Sequence, residues 1–450
     1  LGRFALLEIP AFWFSWGNRS EESSMKRFCI VGTGGRGTAS YAEPIMKEFP
    51  GRIELVGLYD INPLRCEACK QILKRPDIPV FSDFKEMLDT AKPDGVIVAS
   101  KDNTHAEYVL ECLKRNIAVY SEKPLCTTRE QCLAIRKAAA RSSAPAYVTH
   151  NMRFGPDMAK FKELLQNGAI GKVLHIQFTE TLDRFHGADY FRRWHRRFDN
   201  TGSLLIHKAS HHFDLINWFA DSRVKTVTGQ GALSFYGRKG PFRGKRCSNC
   251  AFVGDCEFYA DVFASEHNRI LYREAEKADH YYRDGCVFDR KIDIPDTYAA
   301  TMAFENGIIA SYSLIAYASY ESMHIAVEGT EGRLEYIMRY GTSWAIGHKN
   351  SAKEVSLAND GEDQDDSRKF FMLTEMGKKI EHIPEVQVSG GHGGADPALR
   401  EALFCGMEAD PLGQRAPMED GIQAVLVGIS VMDSIRAGGK LVNVQTGKIL

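Results

Sequence analysis

The stretch Cys29-Ile30-Val31-Gly32-Thr33-Gly34-Gly35-Arg36-Gly37 decides the fold. Phe28 to Val31 is an apolar run of the kind that forms a buried strand, and Gly32, Gly34 and Gly37 follow it at the spacing G-x-G-x-x-G. Gly32 permits a sharp turn, Gly34 lets a pyrophosphate approach the backbone, and Gly37 lets the next helix pack on the strand. The free N–H groups at that helix start attract phosphate. A second apolar run, 53–59, ends at Asp60. This acid lies roughly 20 residues beyond the glycines, where a carboxylate accepts hydrogen bonds from the adenosine ribose hydroxyls. The expected cofactor contacts on this loop are Gly32, Thr33, Gly34, Gly35, Arg36, Gly37 and Asp60.

Working outward, strands read at 26–31, 53–59, 95–99, 117–121 and 146–150, with helices near 36–48, 63–74, 83–90, 104–115 and 127–141. This alternation predicts an α/β fold with a doubly wound parallel sheet over 25–150. Beyond Asn151 the pattern changes. A helix near 156–167 and a strand at 172–183 lead to a strongly apolar helix at 203–219. Strands then read at 224–235, 297–304, 307–316, 324–328 and 332–337, and Asn306-Gly307 signals a hairpin. Adjacent strands without helices between them predict an antiparallel sheet. Helices return at 397–408 and 418–436, and polar 351–369 reads as a surface excursion. The second domain is thus 151–450, with a loop-rich insertion at 236–290.

The chain has 450 residues, 44% hydrophobic and 26% charged, enough for two domains with ample core. A net charge of −1 gives no general electrostatic case for nucleic acid or an anionic membrane. No apolar run approaches the roughly 20 residues that span a bilayer. Residues 1–24 begin with Leu and lack the basic start and clean apolar block of a signal peptide. They read as a leader, either an upstream remnant or an ordered arm, and the protein is expected to be cytoplasmic.

Three further segments are specific: Ser121-Glu122-Lys123-Pro124, Asn151-Met152-Arg153-Phe154, and Gly202-Ser203-Leu204-Leu205-Ile206-His207-Lys208-Ala209-Ser210-His211-His212-Phe213-Asp214. With the glycine loop, they resemble the Gfo/Idh/MocA oxidoreductases, the glucose-fructose oxidoreductase and inositol dehydrogenase group, from about residue 26 onward. The resemblance implies a Rossmann domain and a C-terminal α/β domain with a large, open, mainly antiparallel sheet. It also implies NAD, with further cofactor contacts at Ser100, Asn103, His105, Glu122, Lys123 and Asn151, a carbohydrate or cyclitol substrate, and a homodimer or homotetramer. Lys123 matches the family lysine that contacts the reacting hydroxyl, and Pro124 matches a proline often preceded by a cis peptide. His211 matches the acid/base that takes the hydroxyl proton, a task suited to an imidazole. The family's upstream aspartate is replaced by His207 and a glycine by Ala209, so His207 either orients substrate or shares a proton relay. A competing reading makes His207 and His211, four apart on one helical face, a metal site, which the charge of Lys208 opposes; an alternative for His212 is a buried helix histidine bonded to backbone.

Aromatics and arginines mix in Tyr190-Phe191-Arg192-Arg193-Trp194-His195-Arg196-Arg197. Rings stack on sugars and planar donors bind hydroxyls or acids. Arg153, Tyr190, Trp194, His195, Arg197 and Lys208 are therefore the expected substrate contacts. Asp60 favours NAD over NADP, although Arg65 lies near enough in sequence to blur that preference. Cys66-Glu67-Ala68-Cys69 sits inside a helix and reads as ordinary helix residues. Cys247, Cys250, Cys256 and Cys286 lie in a region without an obvious core and read as a structural zinc site, two disulfides or free thiols. Two activities fit. One is an NAD-dependent oxidoreductase acting on a CH–OH group. The other is a redox glycosidase on the same fold, whose extra base would be His207, Tyr190 or His195.

Overall fold

The computed structural model describes residues 25–339, 368–384 and 394–450. The expected leader 1–24 and most of the expected excursion lie outside the described residues. Strands β1 (Lys26–Val31), β2 (Ile53–Tyr59), β3 (Gly95–Val98), β4 (Ala118–Ser121) and β5 (Ala146–Val148) form a parallel sheet in the order β5-β4-β3-β1-β2. The short strand Ala416–Pro417 extends it antiparallel beside β5. Phe28 to Val31 and all of β3 and β4 are buried, as strands covered by helices on both faces must be. The strand order reverses between β1 and β3, so the crevice for a ligand opens at the carboxyl ends of these two.

Among the described residues the second sheet has nine strands. They are β6 (Val173–Asp183), β7 (Val224–Ala232), β8 (Thr297–Phe304), β9 (Ile309–Ala318), β10 (Ser322–Gly329), β11 (Gly332–Arg339), β12 (Arg368–Glu375) and β13 (Glu381–His382), with Val442–Asn443 at one edge. The order is β13-β12-β11-β10-β6-β9-β8-β7 and then Val442–Asn443. Only β6 and β9 pair in parallel; every other neighbouring pair is antiparallel. Burial alternates along β8, the period-2 signature of a sheet with one covered face.

Three elements differ from the expectation. The helix read at 203–219 is two, Leu204–His207 and Ser210–Ala220. The His207 carbonyl at the break accepts from the Lys123 ammonium (3.4 Å) and the Ser210 hydroxyl (3.2 Å). Arg184–Arg192 is helical, capped by Asp183, whose carboxylate accepts from the Phe185 and His186 N–H groups. Arg368 and Lys369, read as part of the excursion, begin β12.

The helix Met418–Arg436 packs on Ser210–Ala220, on β7 and on Arg129–Ala139, and so joins the two sheets. Gly428 makes this possible: a Cβ there would lie 2.4 Å from the Leu205 carbonyl oxygen. Arg136 holds the helix start through a two-pronged pair with Glu419, at 2.8 and 2.9 Å. Leu426 is fully buried, and truncating such a leucine costs about 2–5 kcal/mol. This seam sets Leu204–Ala220 against the mouth of the parallel sheet.

Candidate active site at the mouth of the parallel sheet

The glycine loop has the geometry its sequence demands. Gly32 has φ +86° and a Cβ there would lie 2.6 Å from the Ala99 and Ser100 backbone; at Gly37 it would lie 1.9 Å from the Gly32 carbonyl oxygen. Asp60 ends β2, and its carboxylate accepts from the Thr33 N–H (2.9 Å), the Asn62 N–H (2.9 Å) and Arg65 (3.1 Å). A bare-backbone cradle with a carboxylate beside it fits the diphosphate and ribose of a dinucleotide.

Several side chains expected to touch the cofactor have hydrogen-bond partners within the protein. Arg36 donates to Glu122 (2.7 Å), Ser40 (2.9 Å) and Asp396 (3.2 Å). Asn151 donates to Asp396 at 2.7 Å, and Asn103 to the Asp199 carbonyl at 3.2 Å. The His105 ring nitrogens face the Pro124 and Ser100 carbonyl oxygens at 2.7 and 3.0 Å, and the Ser100 hydroxyl pairs with that of Thr104. These side chains brace the loops at the ends of β3, β4 and β5. Burial alone would raise the Glu122 carboxyl, but Arg36, Lys123 and the Tyr41 hydroxyl outweigh it and hold it below the usual range.

Lys123 follows β4, and its peptide bond to Pro124 is cis. Burial pushes its ammonium below the ordinary lysine range. The His207 ring nitrogen Nδ1 lies 2.7 Å from an Asp102 oxygen that also accepts from the Thr201 hydroxyl at 2.5 Å. Burial pushes the Asp102 carboxyl up to about 7. Burial, then Lys123, Arg193 and Lys208, hold His207 well below the usual imidazole range. An Nδ1–H donated to Asp102 leaves Nε2 of a neutral ring as an acceptor. His211 is held down likewise, by burial and then by Lys123 and His150, and its buried Nδ1 finds no partner among the described residues. His212 is buried as expected, but it pairs with the Tyr312 hydroxyl (2.9 Å) and stacks on Phe178 rather than bonding backbone.

Tyr190, Trp194 and His195 gather around His207. The ring centroids of Tyr190, His195 and Trp194 lie 5.4, 4.1 and 5.8 Å from that of His207. Lys208 pairs with Glu180 at 3.1 Å. The two expected arginines are elsewhere. Arg153 is a two-pronged partner of buried Asp214 (2.6 and 2.8 Å), also donates to the Gly413 carbonyl and pairs with Asp420. Arg197 binds the Lys291 carbonyl and Asp293 at the surface. Each found an acceptor that residue type alone does not reveal.

The structure adds residues the sequence reading passed over. Asp102 lies between Ser100 and His105, which were read. His186 bonds Glu321 (2.9 Å) on one ring nitrogen and the Tyr190 hydroxyl (3.0 Å) on the other. Burial opposes a charge on His186, but Glu321 and Tyr190 overcome it and raise the ring to about 10. For Tyr190, burial raises the phenol, yet His186, Lys208 and Lys123 bring it below the ordinary tyrosine range. The Asp183 cap was the signal that could have placed His186 on a helix with Tyr190 one turn on.

All four insertion cysteines line one small cavity with Phe242, Phe258 and Phe288. Every cysteine of the chain is unbridged, and no three His, Cys, Asp or Glu side chains among the described residues gather as metal ligands. The structure therefore has neither the two disulfides nor a formed zinc site. Cys66 and Cys69 are buried helix residues, as expected, with thiols pushed up by burial to about 12 and about 11. No helix among the described residues is long and apolar enough to cross a membrane.

Residues 26–150 match the oxidoreductase family with an NAD-binding Rossmann fold, and 162–444 match its C-terminal alpha/beta domain. YteT of Bacillus subtilis (strain 168), named as an oxidoreductase, is 33% identical over 432 residues, covering 91% of this chain and 96% of its own. The inositol 2-dehydrogenase of Rubrobacter xylanophilus is 28% identical over 208 residues, 45% of this chain and 54% of that protein. Among solved structures, a levoglucosan dehydrogenase in complex with NADH and levoglucosan shares the fold with a TM-score of 0.62. It is 18% identical, over 93% of this chain and 98% of that one.

Proposed function

The chain belongs to the Gfo/Idh/MocA family of NAD(P)-dependent oxidoreductases, and from that premise we propose that it oxidises a CH–OH group of a sugar, glycoside or cyclitol with NAD. The observation that carries this reading is the meeting of Lys123 with the His207 carbonyl. It joins the turn after β4 to the histidine-bearing helix. When bound, NAD supplies the hydride acceptor. Lys123 holds the substrate oxygen and stabilises the negative charge that develops on it. His211, neutral because burial and Lys123 disfavour its charged form, takes the hydroxyl proton. His207, fixed by Asp102, offers Nε2 to a neighbouring hydroxyl. Trp194 and Tyr190 give the sugar an apolar wall. Asp60 favours NAD, because a carboxylate repels a 2′-phosphate.

One observation favours a second reading. The Tyr190 hydroxyl bonds His186 at 3.0 Å beside His207, and His186 and the two lysines outweigh burial to hold the phenol below the ordinary tyrosine range. In a redox glycosidase it would remove the proton next to the oxidised carbon before the glycosidic group leaves. Incubation with a panel of sugars, cyclitols and glycosides separates the two. An oxidoreductase consumes NAD one for one with product, whereas a redox glycosidase releases aglycone without net reduction of the cofactor. Neither product with any member of the panel would overturn both.

A further inference from the structure

The cysteine-rich insertion reaches the cofactor loop. Its Leu271 and Tyr272 are buried against Ala68 of the helix Pro63–Leu73. Asn62, which caps that helix, donates from its side chain to the Ala275 carbonyl at 2.8 Å. The Tyr272 hydroxyl accepts from the Gly35 N–H at 2.6 Å.

Arg65 is the point of contact that bears on specificity. It is buried, and one arm of its guanidinium lies 3.1 Å from Asp60. The other arm is paired with Asp279 of the insertion. Tyr281 and Tyr272 lie 5.7 and 6.0 Å from the guanidinium carbon. An arginine next to the ribose-binding acid is the group that accommodates a 2′-phosphate in NADP-dependent relatives of this architecture. Here two carboxylates, one on either arm, take up its charge and engage both terminal nitrogens, while Nε is buried without a partner among the described residues.

We propose that Asp279 is a specificity-determining residue of the cofactor site: it holds Arg65 from outside the dinucleotide domain, keeps the guanidinium from a 2′-phosphate, and so secures NAD over NADP. This rests on the reading of the glycine loop as an NAD site. Asp60 alone neutralises Arg65 but leaves one arm of the guanidinium free to donate to a phosphate. Asp60 and Asp279 together leave a net negative pocket that repels it.

The test is calorimetric titration of the full chain with NAD and with NADP. Wild type binds NAD more tightly. Asp279→Asn keeps the shape and removes the charge, and it lowers the ratio of Kd for NADP to Kd for NAD about ten- to a hundredfold. Arg65→Ala in the Asp279→Asn background cancels that gain, while Asp279→Glu preserves the wild-type ratio. Asp279→Ser gives the same readout should the Asn variant fail to fold, which a melting curve reveals. An unchanged ratio, or parallel weakening of both nucleotides, assigns Asp279 a purely structural role and overturns the proposal. Wild type that binds neither nucleotide overturns the NAD reading itself, and this proposal with it.

Discussion

Lys123 stands between two polar groups of different construction. On the sheet side, Arg36, Tyr41, Glu122, Asn151 and Asp396 form a closed set in which donors and acceptors answer one another across 2.6–3.2 Å. On the helix side, the His195 and His211 Nδ1 atoms are buried without partners among the described residues, and His207 is bonded on Nδ1 alone. A buried polar atom left unpaired costs about 1–3 kcal/mol. The closed set spends its hydrogen bonds on holding the Glu122–Pro124 turn. On the function proposed here, the open set keeps them for a substrate.

Breaking the open side should give the largest effect. Lys123→Met is expected to lower kcat by about two to four powers of ten with NAD affinity little changed, because in the proposed reaction the lysine acts on the developing oxygen charge. Stopped-flow rates and calorimetry on one preparation check this. Loss of NAD binding would move Lys123 to the closed side of the comparison.

Arg153 tests the boundary from the other direction. Its pair with Asp214 is almost fully buried on both sides, and removing one partner of such a pair costs about 3–5 kcal/mol. Arg153→Leu should therefore lower the melting temperature by several degrees while the folded fraction keeps its KM. A raised KM at unchanged stability would return Arg153 to the substrate, as its residue type first suggests.

A smaller effect is expected at Asp102, which supports an open-side ring from behind. Its carboxyl is pushed up to about 7. As pH falls through about 7 the carboxylate gains a proton and ceases to accept from both Thr201 and His207. The profile of kcat/KM should therefore rise with pH and level off above about 7. Asp102→Asn should remove that limb and lower the plateau about ten- to a hundredfold. A limb that persists in the variant belongs to another group.

What could be read in the sequence follows the same division. Gly32, Gly37 and Asp60 were legible because a tight turn and a strand end demand particular residue types at fixed spacing. Local motifs single out Lys123 and His211, and the structure places both, partly buried, near the break in the histidine helix. The partners were not. Asp102 matters because Thr201 and His207, roughly a hundred residues away, come to its carboxylate, and no local pattern encodes that meeting. Arg153 and Arg197 announced donors but not whose acceptors they would find. The helix Arg184–Arg192 carries too little apolar periodicity to be seen, so His186 went unread although Tyr190 beside it did not. Tyr272 and Asp279 lay in a segment read only for its cysteines.

The glycine loop itself sharpens the comparison, because it is an open group holding a temporary partner. The Gly35 N–H, placed where a pyrophosphate oxygen is expected, is taken by the Tyr272 hydroxyl at 2.6 Å. A nucleotide must take over that N–H, so part of its binding energy goes to releasing the tyrosine. Tyr272→Phe keeps the ring against Leu271 and Ala68 and removes only the competing oxygen. With one neutral hydrogen bond at stake, worth about 0.5–1.5 kcal/mol, both NAD and NADP should bind about two- to tenfold more tightly. The ratio between them should stay fixed, because the diphosphate is common to both; this separates the variant from Asp279→Asn, which moves the ratio. Titration of the variant with both nucleotides decides the matter. Weaker binding of both would mean that Tyr272 gives its hydroxyl to the phosphate rather than competing with it, and would place the tyrosine among the cofactor's own ligands.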